Sequence, residues 1–165
     1  DPNNPKPDDG SEIETNNDYL DDDSVIEQIF NDAGETIGNW FEKRKNREKI
    51  ILASKVAGPG CDWIRGGGNS FDEKKIGEAI DGSLKRLKTD YIDLYQVHWP
   101  ERKSNYFGKL GYTQSEDIGV AIEETLSALD DAIKAGKIRH IGLSNETPTA
   151  GNKVVKINTK QDQIF

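Results

Sequence analysis

Three short apolar runs each end in polar residues capable of chemistry. Lys55 follows Ile50-Ile51-Leu52-Ala53-Ser54, His98 follows Tyr91–Val97, and Ser144-Asn145 follows Ile138–Leu143. Each run is brief and bounded by turn-forming residues, which is the pattern of a strand buried inside a parallel sheet. In parallel α/β folds, functional side chains gather where the strands end. Three successive strands therefore bring a lysine, a histidine and a Ser-Asn pair to one rim. A lysine among apolar walls loses hydration and needs a partner. A histidine on the same rim can donate a hydrogen bond to a carbonyl oxygen. Taken singly, each has a plainer reading, as a solvated lysine or a satisfied core histidine. It is the coincidence of three strand ends that points to a site.

The elements that must position these residues can be followed along the chain. Residues 1–24 are almost all polar, and the run Asp1-Pro2-Asn3-Asn4-Pro5-Lys6-Pro7 suits neither a helix nor a central strand. This stretch reads as an acidic, Asn- and Pro-rich leader or loop insertion, and residues 25–165 as the folded domain. Val25, Ile26, Ile29 and Phe30 fit one or two amphipathic turns. Ile37, Trp40 and Phe41 recur at helical spacing, followed by the basic residues Lys43, Arg44, Lys45 and Arg47. The first strand is expected over Lys49–Val56. Ser70-Phe71-Asp72-Glu73 has the form of a capping box, with Ser70 and Glu73 satisfying free amides at a helix start. Ile76, Ile80, Leu84 and Leu87 give that helix an apolar stripe. A second strand is expected over Tyr91–Trp99, a third helix around Ile122, Leu126, Leu129 and Ile133, a cap at Gly136, and a third strand over Ile138–Leu143. After Asn145 the pattern fails, and Thr147 to Lys160 shows no helix. The alternation of helix and strand means parallel strands with covering helices. It does not by itself separate a barrel from an open sheet.

Composition narrows the partners. Of 30 acidic and 22 basic side chains, residues 1–35 hold twelve and one, so the net charge of −8 belongs to the leader and the remainder is mildly positive. An acidic leader argues for solvated disorder. It argues against nucleic acid and anionic membrane as partners, since both recruit positive charge. No apolar run approaches the roughly 18 residues of a membrane span, and no signal peptide is visible. The lone Cys61 forms no internal disulfide, which favours a reducing, cytoplasmic setting. With no Met and a start at Asp1, the sequence reads as a piece of a longer product.

Other motifs carry less. Gly66-Gly67-Gly68 lacks the following Lys-Ser/Thr of a phosphate loop and reads as a flexible turn. Asn145-Glu146-Thr147 matches a glycosylation acceptor only by chance without a secretory signal. His140 lies mid-strand with no Cys or second His at ligand spacing, so no metal site is expected. Trp63, Trp99, Tyr106, Phe107 and Tyr112 follow two of the strands and suit either an apolar pocket wall or a cover for the rim.

The residues of this rim resemble those of the aldo-keto reductases. The resemblance rests on Ile51–Lys55, on the long run Ser83–Pro100, whose Asp90-Tyr91-Ile92-Asp93-Leu94-Tyr95-Gln96-Val97-His98-Trp99-Pro100 is highly specific, and on Ala135–Glu146. Asn105-Tyr106-Phe107-Gly108-Lys109-Leu110-Gly111-Tyr112 resembles the bacterial Tas-like branch. The similarity covers about residues 35–148. It implies an α/β fold, a (β/α)8 TIM barrel of which about three to four βα units are present. It implies NADPH as cofactor and hydride transfer to the carbonyl carbon of a small-molecule aldehyde or ketone. It also implies a tetrad in which Tyr gives the carbonyl oxygen a proton, Lys lowers the Tyr pKa, Asp pairs with Lys, and His orients the carbonyl. By position Lys55 is the lysine and His98 the histidine, while Ser144 and Asn145 would bind the nicotinamide carboxamide.

The family's Asp and Tyr admit two registers. Asp1–Pro7 resembles the proline-rich loop that follows the Tyr. Alternatively, Ile13-Glu14-Thr15-Asn16-Asn17-Asp18-Tyr19 matches the family spacing and would assign Glu14 and Tyr19 to those roles. Ile157 to Gln161 faintly resembles the sixth strand. A closed barrel needs about 250 residues, so a piece of this length is expected to be marginally stable, with unpaired strand edges. The alternative function is a non-catalytic nucleotide-binding barrel relative acting as a regulatory subunit, or a truncated product without function. Nothing in the sequence sets the carbonyl substrate or an oligomeric state.

Overall fold

The computed structural model describes residues 22–58, 64, 70–101 and 119–146, with the backbone alone for 22–30. Helix α1 spans Asp22–Arg44, followed by a short 3-10 turn at Arg47–Lys49, strand β1 at Ala53–Val56, α2 at Glu73–Leu87, β2 at Ile92–Val97, α3 at Ile122–Lys134 and β3 at Ile138–Leu143. The expected alternation is observed. The three strands are parallel and lie in chain order, β1-β2-β3. α2 packs on β1, α3 on β3, α2 on α3, and α1 on α2. All three helices therefore form one layer. Sequential strand order with helices on a single face is the arrangement of a barrel wall. A doubly wound sheet carries helices on both faces. This resolves the choice that alternation alone leaves open.

The core lies between the sheet and that helical layer. It is built from Val56, Tyr95, Val97 and Ile141 of the strands against Ile76, Ile80 and Leu87 of α2 and Leu129 and Ala132 of α3. The stripe expected on α2 is buried apart from Leu84, which packs against the cluster while partly exposed. Strand side chains alternate between faces. The buried Tyr95 and Val97 point to the helices, and the partly exposed Leu94, Gln96 and His98 point to the opposite face, as does exposed Lys55.

Several local expectations change. The first helix is continuous from Asp22, so residues 22–24 are helical rather than loop. On it only Phe41 of the three expected apolar residues is in the core, while Ile37 and Trp40 remain 42% and 41% exposed. The strand expected over Lys49–Val56 shortens to four residues because Arg47–Lys49 turns. The capping box at Ser70 and Glu73 is replaced. Helix α2 starts at Glu73, and Asp72 is its N-cap, accepting from the Lys75 amide at 2.9 Å. The Ser70 hydroxyl donates instead to the Asp72 carboxylate. A carboxylate one residue before the helix reaches the third amide directly and also faces the positive end of the helix dipole. Gly136 ends α3 as expected. It takes φ 75°, with Gly136 N donating to Ile133 O at 2.8 Å and Lys137 N to Ala132 O at 3.0 Å. That is the paired closure of a Schellman motif, which a Cβ would strain.

The start of the sheet is tied by a charged cluster. Arg47 donates to Asp93 Oδ2 at 2.8 Å, to Tyr91 O at 2.8 Å, to Ile50 O at 2.7 Å and to Thr89 Oγ1 at 3.0 Å. The Leu52 amide donates to Asp93 Oδ2 at 2.9 Å and Arg139 to Asp93 Oδ1 at 2.8 Å. The Tyr91 ring lies against both guanidiniums, 4.0 Å from that of Arg47 and 3.9 Å from that of Arg139. One carboxylate thus joins the beginnings of all three strands.

Candidate active site

The opposite end of the sheet carries the residues singled out from the sequence. Register fixes their relative heights. Lys55 pairs with Gln96, and Gln96 with Gly142, so these three form one layer across β1, β2 and β3. His98 and Ser144 lie two residues beyond Gln96 and Gly142, on the same face by parity. The parallel ladder continues to that height, with Ser144 N donating to Val97 O at 2.9 Å. The structure thus brings Lys55, His98 and Ser144 to one face of the sheet, close to its C-terminal rim.

Asn145 fastens this rim. It adopts φ 60°, a left-handed conformation that asparagine tolerates better than most residues. Its side-chain amide donates to His98 O at 2.8 Å and to Ser144 Oγ at 3.1 Å. The end of β3 is thereby pinned to the end of β2. The amide donors of Asn145 point into the protein, while its carbonyl oxygen and the Ser144 hydroxyl hydrogen make no hydrogen bond among the described residues. An acceptor and a donor side by side match the NH2 and C=O of a primary carboxamide.

His98 is partly buried, with its ring 5.3 Å from that of Trp99. Burial, and then the positive charge of Lys55, push its pKa below the ordinary histidine value. The imidazole is therefore neutral at neutral pH and offers one N–H donor and one acceptor. Lys55 is exposed, contrary to the expectation of apolar walls, because the face it projects from carries no covering element among the described residues. Its ammonium has no hydrogen bond or ion pair among the described residues.

Two further residues of this face, Gln96 and Gly142, escaped the reading by strand ends. The available signal was period two: counting back from His98 lands on Gln96. A Cβ on Gly142 would stand 2.9 Å from Gln96 Cγ and 3.3 Å from Leu94 Cδ1. Glycine is thus what lets the Gln96 side chain lie across β3.

Trp99 is buried. Trp63, Tyr106, Phe107, Tyr112, Cys61, the Gly66–Gly68 turn, Glu14, Tyr19, the Thr147–Lys160 stretch and Gln161 lie outside the described residues. Among the described residues no helix is long and apolar enough to cross a membrane, and no group of three His, Cys, Asp or Glu is disposed to hold a metal ion.

Comparison with known proteins agrees with the geometry. Residues 28–163 match the Aldo/keto reductase family. The chain is 48% identical over 129 residues to Protein tas of Escherichia coli (strain K12), covering 76% of this chain and 37% of that protein. It is 41% identical over 110 residues to an aldo-keto reductase of Babesia bovis, covering 61% of this chain and 39% of that protein. Among solved structures, the holo form of aldo-keto reductase AKR11C1 from Bacillus halodurans superposes with a TM-score of 0.53 at 31% identity, covering 79% of this chain and 37% of that one. The chain spans somewhat over a third of the length of these relatives. The resemblance read from Ile51–Lys55, Ser83–Pro100 and Ala135–Glu146 is borne out, and with it the (β/α)8 barrel class, of which the described residues hold three parallel strands.

Proposed function

The chain belongs to the aldo/keto reductase family, and from that premise we propose that its C-terminal rim is half of a site for NADPH-dependent reduction of small-molecule aldehydes or ketones. The observation that carries this reading is the shared face of Lys55, His98 and Ser144 on three adjacent parallel strands. Ser144 and Asn145 would hold the nicotinamide carboxamide, the hydroxyl donating to its oxygen and the Asn145 carbonyl accepting from its amide. When bound, the dinucleotide supplies the hydride.

The proton that completes the alcohol would come from the tetrad's tyrosine, whose pKa the Lys55 ammonium would lower; the roles that follow belong to the described side chains. Neutral His98 donates its ring N–H to the substrate carbonyl oxygen and fixes the plane of the carbonyl group. Its depressed pKa matters here: a neutral donor orients the oxygen without competing as an acid. The Lys55 ammonium, one layer below, stabilises negative charge as it develops on that oxygen. Such fixed charge is strongest where water is excluded.

The test is aldehyde-dependent oxidation of NADPH, using an aromatic aldehyde as probe. Activity is expected once the strands missing from this chain are supplied, with Lys55→Met in that protein lowering kcat/KM by about 10²- to 10⁴-fold, the usual range for losing a group that assists proton transfer. NADPH binding without turnover would favour the non-catalytic nucleotide-binding reading. Absence of both would overturn the assignment of this rim.

A further inference from the structure

Phe71, the residue before the Asp72 cap of α2, is held by side chains from two other segments. Its amide donates to Glu101 Oε2 at 2.9 Å, and its carbonyl accepts from the buried Thr125 hydroxyl of α3 at 3.1 Å. Its ring is fully buried against Gly58, just past β1. Glu101 lies three residues beyond His98, and the two residues between them, Trp99 and Pro100, are both buried. The Glu101 stem rests against the backbone of Gly119, which takes φ 61°, and a Cβ there would collide with Glu101 Cγ and stand 2.9 Å from Oε1. The carboxylate thus joins the segment leaving β2 to the start of α2, on the rim side of the sheet. The proposed reduction gives this group no task.

We infer that Glu101 is a positioning residue for His98, its carboxylate fastening the end of β2 to the Phe71 amide and so fixing where the imidazole stands on the rim. This rests on the proposed role of His98. The tether between the two is short and stiff, since Pro100 has a fixed φ and Trp99 is packed. A shift at Glu101 is therefore passed to His98 rather than absorbed. Asn145 holds His98 O from the β3 side, and Glu101 supplies the matching hold from the helix side. A carboxylate suits the task because its hydrogen bond to an amide is charge-assisted, roughly twice as strong as a neutral one. The positive end of α2 favours the negative charge as well. A residue that orients a carbonyl needs such a fixed seat, because a misplacement of about 1 Å can cost about 10²-fold in rate.

The experiment reads His98 by NMR and needs no turnover, so a chain that reduces no carbonyl can still pass or fail it. The chain has two histidines, and loss of one signal in His98→Asn assigns the other to His140. The His98 pKa is then compared among the wild type, Glu101→Leu, Glu101→Gln and Thr125→Val. Leucine and glutamine both remove the charge, but glutamine keeps an acceptor for the Phe71 amide, so their difference isolates the hydrogen bond. In Glu101→Leu the released segment admits water to His98, and its pKa should stand closer to the ordinary value of about 6.5 than in Glu101→Gln. Thr125→Val removes the other hold on Phe71, which does not involve the end of β2, and should lower stability while leaving His98 at its wild-type value. Gly119→Ala, which keeps the carboxylate but displaces it, should raise the His98 pKa above wild type, and it serves if the leucine variant does not fold. Equal His98 values in the two Glu101 variants, an unmoved His98 in Gly119→Ala, or a Thr125→Val shift as large as that of Glu101→Leu would overturn the inference.

Discussion

The two ends of the sheet are built to opposite rules. At the beginning of the strands, Asp93 takes hydrogen bonds from Arg47, Arg139 and the Leu52 amide, and Arg47 spends its remaining donors on Tyr91 O, Ile50 O and Thr89. Arg47, Asp93 and Arg139 all have protein partners there. Among the described residues, Lys55 at the far end is exposed and unpartnered, and Ser144 and Asn145 keep a donor and an acceptor open. Satisfied charge contributes to stability, and charge left open can act on something that arrives. In barrels the end where strands finish is the reactive end, and the other end carries stability. The difference teaches that partner count, more than charge or residue type, separates the two roles.

Breaking the satisfied end should give the largest change in stability. Asp93→Asn leaves two guanidiniums with a weakened partner, and disrupting so enclosed an ion pair costs about 3–5 kcal/mol. Chemical denaturation should show it, while Lys55→Met should change stability by less than about 0.5 kcal/mol, as expected for an exposed side chain away from special features. Equal losses in both variants would erase the contrast.

Acid should sharpen the same contrast in two stages. Burial raises the Asp93 pKa, but hydrogen bonds from Leu52 and Arg47 and the charges of Arg47 and Arg139 outweigh it, so the carboxyl lies below the usual carboxylate value. Its stabilising contribution is complete above the unfolded pKa of about 4 and is lost as pH falls through the folded value. His98 is also depressed in the folded state, by burial and by Lys55. The unfolded chain therefore binds its proton first, and stability begins to fall as pH drops below about 6.5. A profile of Tm against pH should lose its near-neutral slope in His98→Asn and its acidic slope in Asp93→Asn. A swap of these effects would contradict the assignment.

The smallest effect belongs to neither end. Lys88 closes α2 in the left-handed conformation at φ 49°, which costs a residue with a Cβ about 1–2 kcal/mol. Its ammonium pairs with Glu42 at 2.7 Å, with both side chains well exposed, and such pairs contribute about 0–1 kcal/mol. Lys88→Gly should therefore raise stability by less than about 1 kcal/mol without altering the His98 titration. A net loss in a thermal melt would show that the surface pair outweighs the strain.

Much of this arrangement was legible in the sequence because two periodicities survive intact. Ile138–Leu143 is the strand that its residues announce, and Gly136 is the cap its position implies. The rim residues were found because a polar residue after an apolar run marks a strand end. Other features depend on where side chains turn in space. Ser70 and Asp72 are both good caps, and only the start of α2 at Glu73 decides between them. Ile37 and Trp40 have helical spacing, yet α1 meets α2 over a narrower face than that spacing suggests. Gln96 was passed over because period two places it on the rim face but says nothing of its seat over Gly142, which appears only once β2 and β3 are paired.

The claim that function and stability occupy opposite ends of one sheet is tested most directly by hydrogen exchange with and without saturating NADPH. Exchange should slow at His98, Ser144 and Asn145, with the amides of Leu52, Asp93 and Arg139 slowing only by a smaller and uniform amount, since a ligand that favours the native state stabilises the whole fold. Protection centred on Arg47, Asp93 and Arg139, or no protection anywhere, would contradict it.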